Sequence, residues 1–217
     1  MILYHGSKSG IKGEISPFSS RETCDFGRGF HTGELPTQPM GLIAGWKDHV
    51  FYELECDFDD LKIKKFDNGY DGSIDWAMFI GFNRDKRYYE GHRKLYEKYD
   101  AYNENYDLII GPIANDKMFQ LLERFYIGDL CDKALISGLT QIKLGDQYVF
   151  KTKKSCDKDH IKILSERKLN DRERSLAFAD NRNRAAQSDG ILSQLQTRYR
   201  RAVDVKYYDE LMEEWDG

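Results

Sequence analysis

A histidine at the end of the first predicted strand is the earliest residue in the chain that is suited to chemistry. The sequence begins MILYHGSKSG, so the β-prone triplet Ile2–Tyr4 runs directly into His5, Gly6 and Ser7. An imidazole can donate, accept or release a proton near neutral pH, and a glycine leaves its backbone open to close approach. The pattern is typical either of an ordinary strand-to-turn transition or of a strand that presents a histidine and bare backbone to a ligand.

A second segment with unusual backbone freedom follows at residues 24–34, with the sequence CDFGRGFHTGE. Gly27 and Gly29 are separated by one arginine, and the aromatic pair Phe30-His31 comes next. Glycines this close together let the backbone turn sharply and approach another molecule without a Cβ in the way. Alone, the pattern indicates a turn. Together with the first segment, it favours a ligand site.

The two segments resemble the signature of ADP-ribosyltransferases of the diphtheria-toxin and poly(ADP-ribose)-polymerase type. In those enzymes the first strand ends in His-Gly-Ser/Thr, and the second motif reads Phe-Gly-x-Gly-Φ-Tyr, which residues 26–31 match except at the last position. The chain is similar in more detail to a bacterial family of uncharacterised domains related to these enzymes. Five motifs in the same order carry this resemblance over about residues 2–155: YHGS (4–7), DFGRGF (25–30), WAMFIGFNR (76–84), YDLIIGPIAND (106–116) and QYVFKT (147–152).

The resemblance implies that the first two motifs grip the nicotinamide-ribose part of NAD. His5 is expected to bond a ribose hydroxyl, the backbone of Gly6 to pair with the nicotinamide amide, and Ser7 to add a hydroxyl contact. His31 stands where related enzymes stack a tyrosine on the nicotinamide ring. We expect a neutral imidazole there, because a cationic ring would repel the cationic pyridinium.

The third element that the resemblance implies is a polar residue on a late strand, which stabilises an oxocarbenium-like transition state. Gln147 occupies the place of a glutamate and keeps the hydrogen-bonding geometry without the negative charge. Asp146 points to the opposite face if the segment is extended, so we expect it to be a poor substitute. A polar residue on an edge strand is the alternative interpretation of Gln147. The catalytic set implied is His5, His31 and Gln147.

Two arginines and a tryptophan are further candidates for contacts with NAD. Arg21, in the loop 15–25, and Arg28 can bond phosphate oxygens bidentately, and each is equally typical of a surface arginine. Trp46, on the helix predicted after His31, is the most conspicuous aromatic residue that could close the other face of the nicotinamide. The NAD-binding set implied is His5, Gly6, Ser7, Arg21, Gly29, Phe30 and His31.

The resemblance implies an NAD-dependent ADP-ribosyltransferase that releases nicotinamide and modifies a protein or nucleic-acid acceptor. Such an enzyme is expected to be a bacterial toxin or phage-defence effector in the cytoplasm. The histidine at position 31 and the glutamine at position 147 leave a second interpretation: a weakly active or inactive module that binds NAD, ADP-ribose or a protein partner. An NAD glycohydrolase, which uses water as the acceptor, is a third.

The elements that must position these residues indicate an α+β fold. Strand composition appears at Ile2–Tyr4, Val50–Asp57, Leu61–Phe66, Leu108–Ile113 and Gln147–Thr152. Helical periodicity appears at Gln38–Trp46, Ile74–Gly81, Asp85–Tyr99, Asp116–Tyr126 and Lys133–Leu139. The absence of regular βαβ alternation disfavours a dinucleotide-binding Rossmann fold. The resemblance adds the expectation of split antiparallel β-sheets flanked by helices.

The chain is predicted to divide into an ADP-ribosyltransferase-like domain, residues 1–156, and a helical C-terminal extension, residues 157–217. The extension is rich in charged residues and helix formers, and it either folds back on the core or is offered to a partner such as an antitoxin. Its arginines are typical of solvated helices with intrahelical ion pairs. Its apolar residues form one stripe, interrupted near Gly190: Leu176, Ala179, Ile191, Leu192, Leu195, Tyr199, Val203, Tyr207 and Leu211.

Two polar pairs next to predicted helices have both structural and functional interpretations. Asn115 or Asp116 is an ordinary N-cap for the following helix, and Asp116 is alternatively a base that deprotonates the acceptor. Asn83 and Arg84 end the helix of the third motif and are expected to help shape the acceptor surface.

The overall composition argues against several classes of protein. The 217 residues have a net charge of −4 and 40% hydrophobic residues, which indicates a folded domain without a global positive field for nucleic acid. The five histidines and four cysteines lack CxxC and HxxxH spacing, so a structural zinc site is not expected. No apolar run approaches the roughly 18 residues of a membrane span. Isolated cysteines without a signal peptide are typical of reduced thiols in the cytoplasm.

Overall fold

The computed structural model describes residues 1–67, 69–114, 118–141, 144–188 and 190–216. Within these ranges the strands are β1 (Ile2–Ser7), β2 (Phe30–Gly33), β3 (Val50–Cys56), β4 (Ile63–Lys65), β5 (Leu108–Pro112), β6 (Asp146–Phe150) and β7 (Ile161–Arg167). The α-helices are α1 (Thr37–Ile43), α2 (Tyr70–Arg84), α3 (Arg93–Asn105), α4 (Met118–Tyr126), α5 (Asp132–Leu139), α6 (Asp171–Ser188), α7 (Ile191–Tyr199) and α8 (Tyr208–Asp216). The predicted cap or base at Asn115 or Asp116 lies outside the described residues.

The described strands form one sheet with the order β4-β5-β6-β2-β1-β3-β7, and helices flank it. Neighbouring strands run antiparallel, except that β4 and β5 run parallel. The fold is therefore of the mixed α+β kind that the sequence predicts. Instead of separate antiparallel sheets, the described strands form a single mixed sheet, in which β1 and β2 join the two halves.

The segment after residue 156 begins with a strand, which corrects the expectation of a wholly helical extension. Strand β7 pairs antiparallel with β3, from Ile161 opposite Cys56 to Arg167 opposite Phe51. The pairing places β7 at the edge of the sheet. The sheet is thus completed by residues from beyond the predicted domain boundary.

Helix α2 lies in the core on one face of the sheet. Its segment WAMFIGF is apolar on all sides, and Trp76, Phe79 and Phe82 are fully buried, as expected for a helix surrounded by other elements. The opposite face carries a second cluster that includes Leu3 and Phe30. Helices α1 and α6 cover a third, smaller cluster on β1 and β3.

The C-terminal helices pack on the core of the same chain. Helix α7 contacts α5, and helix α8 contacts α3 and α4. Of the predicted apolar stripe, Ile191, Leu195 and Leu211 are buried, whereas Leu176 and Val203 are 56% and 77% exposed. Most of the stripe in α7 and α8 therefore completes the core and is not free for a partner. None of the described helices combines the length and apolar character that crossing a membrane requires.

Candidate active site

Strands β1 and β2 are neighbours in the sheet, yet across this described part of the chain they pair at one position, Tyr4 opposite Gly33. By contrast, β1 pairs with β3 at every residue from Ile2 to Ser7, and β2 pairs with β6 at each of its four residues. The two strands therefore separate beyond Tyr4 and Gly33. This leaves a gap in the sheet between the backbones of His5 and His31.

The imidazole of His5 lies at this gap and bonds across it. Its Nδ1 atom is 2.7 Å from the carbonyl oxygen of His31, so Nδ1 carries a proton and donates it. The His5 ring packs with its centroid 4.4 Å from that of Phe30 and 5.9 Å from that of Tyr52. Burial lowers the pKa of His5, and the bond to the His31 carbonyl opposes this effect. His5 is thus neutral at neutral pH, with the lone pair of Nε2 left as an acceptor.

His31 is held as a neutral ring by its surroundings. Its Nε2 atom is 3.1 Å from the carbonyl oxygen of Gly27, so Nε2 is the donor and Nδ1 is the acceptor. Burial lowers the pKa of His31 to about 4. Hydrogen bonds to Gly27 and Gln147 oppose this lowering, and the positive charge of Lys151 adds to it.

Gln147 lies on a central strand, because β6 is between β5 and β2. The interpretation of Gln147 as a polar residue on an edge strand is therefore wrong. The residue is 7% exposed, and its Nε2 atom donates to the carbonyl oxygen of Pro112 at 3.4 Å. Val149, which pairs with His31, lies two residues further along the strand. Since side chains alternate along a strand, Gln147 and His31 share one face of the sheet.

The three predicted catalytic residues form a chain of contacts with His31 in the middle. The carbonyl oxygen of His31 accepts from His5, and its ring contacts Gln147. The three side chains do not share one face, because the ring that His5 packs against is Phe30, which points away from the face of its neighbour His31. His5 contacts His31 across the gap between β1 and β2, so the three residues come together at this gap.

A profile of one protein family matches residues 1–160, which is more than half of the chain, and the family is described as "Protein of unknown function (DUF3990)". The chain belongs to the DUF3990 family. No curated protein and no solved structure matches it. His5, His31 and Gln147 lie inside the DUF3990 region, whereas β7 and the C-terminal helices follow it.

Two glycines of the DUF3990 region that were predicted to offer bare backbone to NAD have packing reasons in the structure. A Cβ on Gly6 would lie 2.6 Å from the carbonyl oxygen of Pro39 in α1. A Cβ on Gly29 would lie 2.4 Å from Cγ1 of Val149, and the Gly29 amide donates to Oγ of Ser20 at 3.0 Å. Close contact with α1 and β6 therefore explains the absence of side chains at these positions.

The other predicted NAD-binding residues divide between the core and the surface. Phe30 is 5% exposed and supports the ring of His5 from the core, so its side chain does not line an open site. Ser7 ends β1 and is partly exposed, and Arg21 is exposed on the loop before β2. Arg28 forms an exposed ion pair with Glu22 at 2.8 Å. Of these, Ser7 lies on the strand that borders the gap.

Trp46 follows α1 and has 49% of its surface exposed. The Nζ atom of Lys8 lies 4.3 Å from the centre of the Trp46 ring, which is a cation–π contact. His49 holds the adjoining loop, because its Nδ1 donates to the Trp46 carbonyl and its Nε2 accepts from the Leu169 amide at 2.9 Å. No contact in the described residues links Trp46 to His31.

Sequence reasoning missed a largely buried polar cluster in the DUF3990 region that holds the loop before His31. The cluster consists of Asn83, Asn103 and Lys151, which come from α2, α3 and the end of β6. Asn83 donates to the carbonyl oxygen of Asp25, and Arg84 pairs with the Asp25 carboxylate, so these two residues contact the loop. A lysine directly after the apolar strand YVF was the signal available in the sequence.

Among the described residues, no three His, Cys, Asp or Glu side chains are grouped so that they could hold a metal ion. The four cysteines are free thiols. The groups present at the gap are two neutral imidazoles, a carboxamide and backbone amides, which can donate and accept hydrogen bonds to a polar ligand.

Proposed function

We propose that the chain is an NAD-dependent ADP-ribosyltransferase, which releases nicotinamide and transfers ADP-ribose to a protein or nucleic-acid acceptor. The observation that carries the proposal is the contact chain His5–His31–Gln147 at the gap between β1 and β2. The same three positions correspond to the histidine, tyrosine and glutamate of the enzymes that the chain resembles, and the chain keeps the first of these residue types. The contacts join residues that are far apart in the sequence, His5 with His31 and His31 with Gln147, which supports the view that the three form one site.

The neutral state of His31 suits a site that binds a cation. The nicotinamide ring of NAD is positively charged, and a planar uncharged imidazole can stack on it without repulsion. The lowered pKa of His31, about 4, keeps the ring uncharged at any physiological pH. His31 in this proposal takes the place of the tyrosine that related enzymes use.

His5 is proposed to bind the ribose next to the bond that breaks. Its Nδ1 proton is committed to the His31 carbonyl, so Nε2 is the atom that accepts from a ribose hydroxyl. Fixing that hydroxyl restrains the sugar in the orientation from which nicotinamide leaves.

The proposed reaction breaks the bond between ribose C1′ and the nicotinamide nitrogen. The electron pair of this bond goes to the nicotinamide, which leaves uncharged, and positive charge develops on C1′ and the ring oxygen. A lone pair of the acceptor forms the new bond at C1′, and the proton of the acceptor is released to solvent. Gln147 contributes the dipole of its amide oxygen, which is weaker than the charge of a carboxylate but does not require a titrating group.

The test is nicotinamide release by the purified full chain incubated with NAD. In parallel, a cell lysate is labelled with tagged NAD, and the labelled material is treated separately with protease and with nuclease. Release of nicotinamide with label that is lost to one of the two treatments supports the proposal and identifies the class of acceptor. Free ADP-ribose as the main product indicates a glycohydrolase. Neither release nor labelling contradicts the proposal.

A second candidate function is a non-catalytic module that binds NAD or ADP-ribose, or a protein partner. The observation that favours it is the uncharged Gln147, whose amide nitrogen is occupied by the Pro112 carbonyl. Calorimetry with NAD beside the turnover assay separates the two candidates, because tight binding without nicotinamide release favours the module. Gln147→Glu is the matched variant: restored charge is expected to raise turnover of a weak enzyme but not of a scaffold.

The proposed cellular role is that of a toxin or phage-defence effector in the bacterial cytoplasm. Consumption of NAD or modification of an essential macromolecule arrests growth, so induced expression of the wild type is expected to stop growth of a bacterial host. Gln147→Ala and His5→Ala are expected to relieve the arrest at equal protein levels. An antitoxin as the partner of the C-terminal helices remains a prediction, for which co-purification from the native host is the measurement.

A further inference from the structure

The loop of residues 24–29, which leads into β2, rests on a lysine that the proposed reaction does not use. Lys151 directly follows β6 and is only 9% exposed. Its Nζ atom lies 2.6 Å from the carbonyl oxygen of Phe26 and 3.0 Å from Oδ1 of Asn103. Asn103 in turn donates to Oδ1 of Asn83 at 2.8 Å. The loop is therefore bonded to two buried side chains, Lys151 and Asn83, and the half-buried Asn103 connects the two.

Gly27 connects this cluster to His31, because it packs against the cluster and its carbonyl oxygen bonds the His31 ring. Its φ angle is +69°, and a Cβ there would lie 2.7 Å from Oδ1 of Asn103, 2.9 Å from Oδ1 of Asn83 and 3.2 Å from Nζ of Lys151. The three members thus fill the space that a side chain at position 27 would occupy. The carbonyl oxygen of Gly27 accepts from Nε2 of His31, so a shift of the loop moves the partner of the His31 ring.

A buried lysine at position 151 is unusual, because removing an ammonium group from water costs free energy. Burial lowers the pKa of Lys151 to about 7, and the Cys24 thiol group, when ionised, opposes this. The groups that face its Nζ are the Phe26 carbonyl on the loop, Asn103 on α3 and, beyond the Gly27 backbone, Asn83 on α2. The charge of Lys151 also acts on His31, which lies on β2, and favours the neutral form of the His31 ring.

We propose that Lys151 is a positioning residue of the candidate site, which fixes the loop of residues 24–29 and thereby sets the orientation of the His31 ring. Its effect on NAD rests on the proposed function, whereas its effect on the His31 ring does not. The positive charge of Lys151, which acts on His31, is also expected to repel a cationic nicotinamide stacked on that ring. Because Lys151 loses its charge as the pH rises, the KM for NAD is expected to fall as the pH rises through about 7.

The experiment follows the ring nitrogens of His31 by NMR in the full-length chain, labelled with ¹⁵N-histidine, while the pH is raised from acidic to alkaline values. In the wild type, the neutral His31 ring is expected to show a step with a midpoint near 7, which reports the charge of Lys151 and not that of the imidazole. Lys151→Met is expected to abolish the step. Asn103→Asp is expected to move it to higher pH, because a carboxylate beside Nζ favours the charged amine.

Two control variants separate this effect from a general loss of structure. Lys98→Met removes another partly buried lysine, whose ion pair with Asp75 at 2.7 Å is part of a different cluster, and the step is expected to stay. Cys24→Ser removes the thiol near Lys151, and the step is again expected to stay. Nicotinamide release is expected to fall on the order of 100-fold in Lys151→Met, because a small misplacement of a binding group reduces the rate by about this factor. It is expected to be unchanged in Lys98→Met.

The outcomes distinguish the two proposals. A wild type without a step near pH 7, or a step that persists in Lys151→Met, overturns the role of Lys151. If Lys151→Met does not fold, the comparison of wild type with Asn103→Asp decides alone, and an unmoved midpoint contradicts the role. A step that behaves as expected in a protein that never releases nicotinamide leaves the positioning role standing and removes the proposed function.

Discussion

The Nδ1 atom of His5 lies 2.7 Å from the carbonyl oxygen of His31, across the place where β1 and β2 separate. A side chain thus provides the hydrogen bond that the backbone of a paired strand ordinarily provides to such a carbonyl. The bond also fixes which nitrogen of His5 carries the proton. The connection between β1 and β2 and the proposed binding of ribose therefore depend on the same hydrogen bond.

His5→Ala is expected to abolish nicotinamide release and to lower the free energy of unfolding. The His31 carbonyl loses its donor, and an unsatisfied buried acceptor costs about 1–3 kcal/mol. The measurements are denaturant unfolding and the NAD turnover assay. Ser9→Ala, at an exposed position just beyond the same strand, is the control and is expected to change neither. Full turnover in His5→Ala contradicts the role of His5.

The free energy of unfolding is expected to rise with pH between about 4 and 6.5 because of His31. Its pKa is about 4 in the folded chain, and the ordinary value is 6.5, so in this window the unfolded chain binds a proton that the folded chain does not. The contribution is fully present above 6.5 and is lost as the pH falls to 4. Over the whole window it amounts to about 3 kcal/mol.

Denaturant unfolding at several pH values measures this slope, and His31→Phe provides the comparison. The variant keeps a planar ring that cannot titrate, so its slope is expected to be smaller by up to about 1.4 kcal/mol per pH unit. Equal slopes in the two proteins contradict the buried, neutral state of His31.

Gly27→Ala is expected to destabilise the chain more than Gly13→Ala, although both glycines have positive φ angles, +69° and +83°. At Gly13 nothing lies within 4 Å of the added Cβ, so the cost is that of the left-handed backbone, about 1–2 kcal/mol. At Gly27 the Cβ also meets the polar cluster around Asn103, which adds about 1–3 kcal/mol. Thermal or denaturant unfolding of the two variants is the measurement. Equal losses of unfolding free energy mean that the polar cluster moves to accommodate the added Cβ without a free-energy penalty.

Leu211→Ala is expected to cost about 2–5 kcal/mol, because this residue of α8 is 2% exposed in the core. Leu176→Ala, at a position of α6 that is 56% exposed, is the matched control and is expected to change stability by less than about 0.5 kcal/mol. Unfolding monitored by circular dichroism gives both values. Similar small losses in both variants indicate that α8 does not belong to the cooperative core.

The strands with a strong pattern of β-branched and aromatic residues were predictable, and the other two were not. Strands β1, β3, β4, β5 and β6 lie within or close to the predicted ranges. Strand β2 is only the four residues FHTG, and its conformation depends on pairing with β6. Strand β7, IKILSER, lies among helix formers, and as an edge strand it buries only Ile161. Neither has enough local signal to be identified without its partner.

The motifs predicted which residues belong to the candidate site but not how they are held. The resemblance implies that His5, His31 and Gln147 form one site, and in the structure His31 contacts both of the others. The gap in the sheet depends on how β1 pairs with β3, which no short motif records. Lys151 lies 48 residues from its partner Asn103, so its contacts arise only from tertiary packing.

Helix α8 places Tyr208, Leu211 and Met212 in the cluster that also contains Trp76 and Phe79 of α2. During synthesis, this cluster stays incomplete until residues 208–216 have left the ribosome, long after the DUF3990 region has emerged. A nascent chain therefore exposes an unfinished core and holds the candidate site on a scaffold that is not yet cooperative.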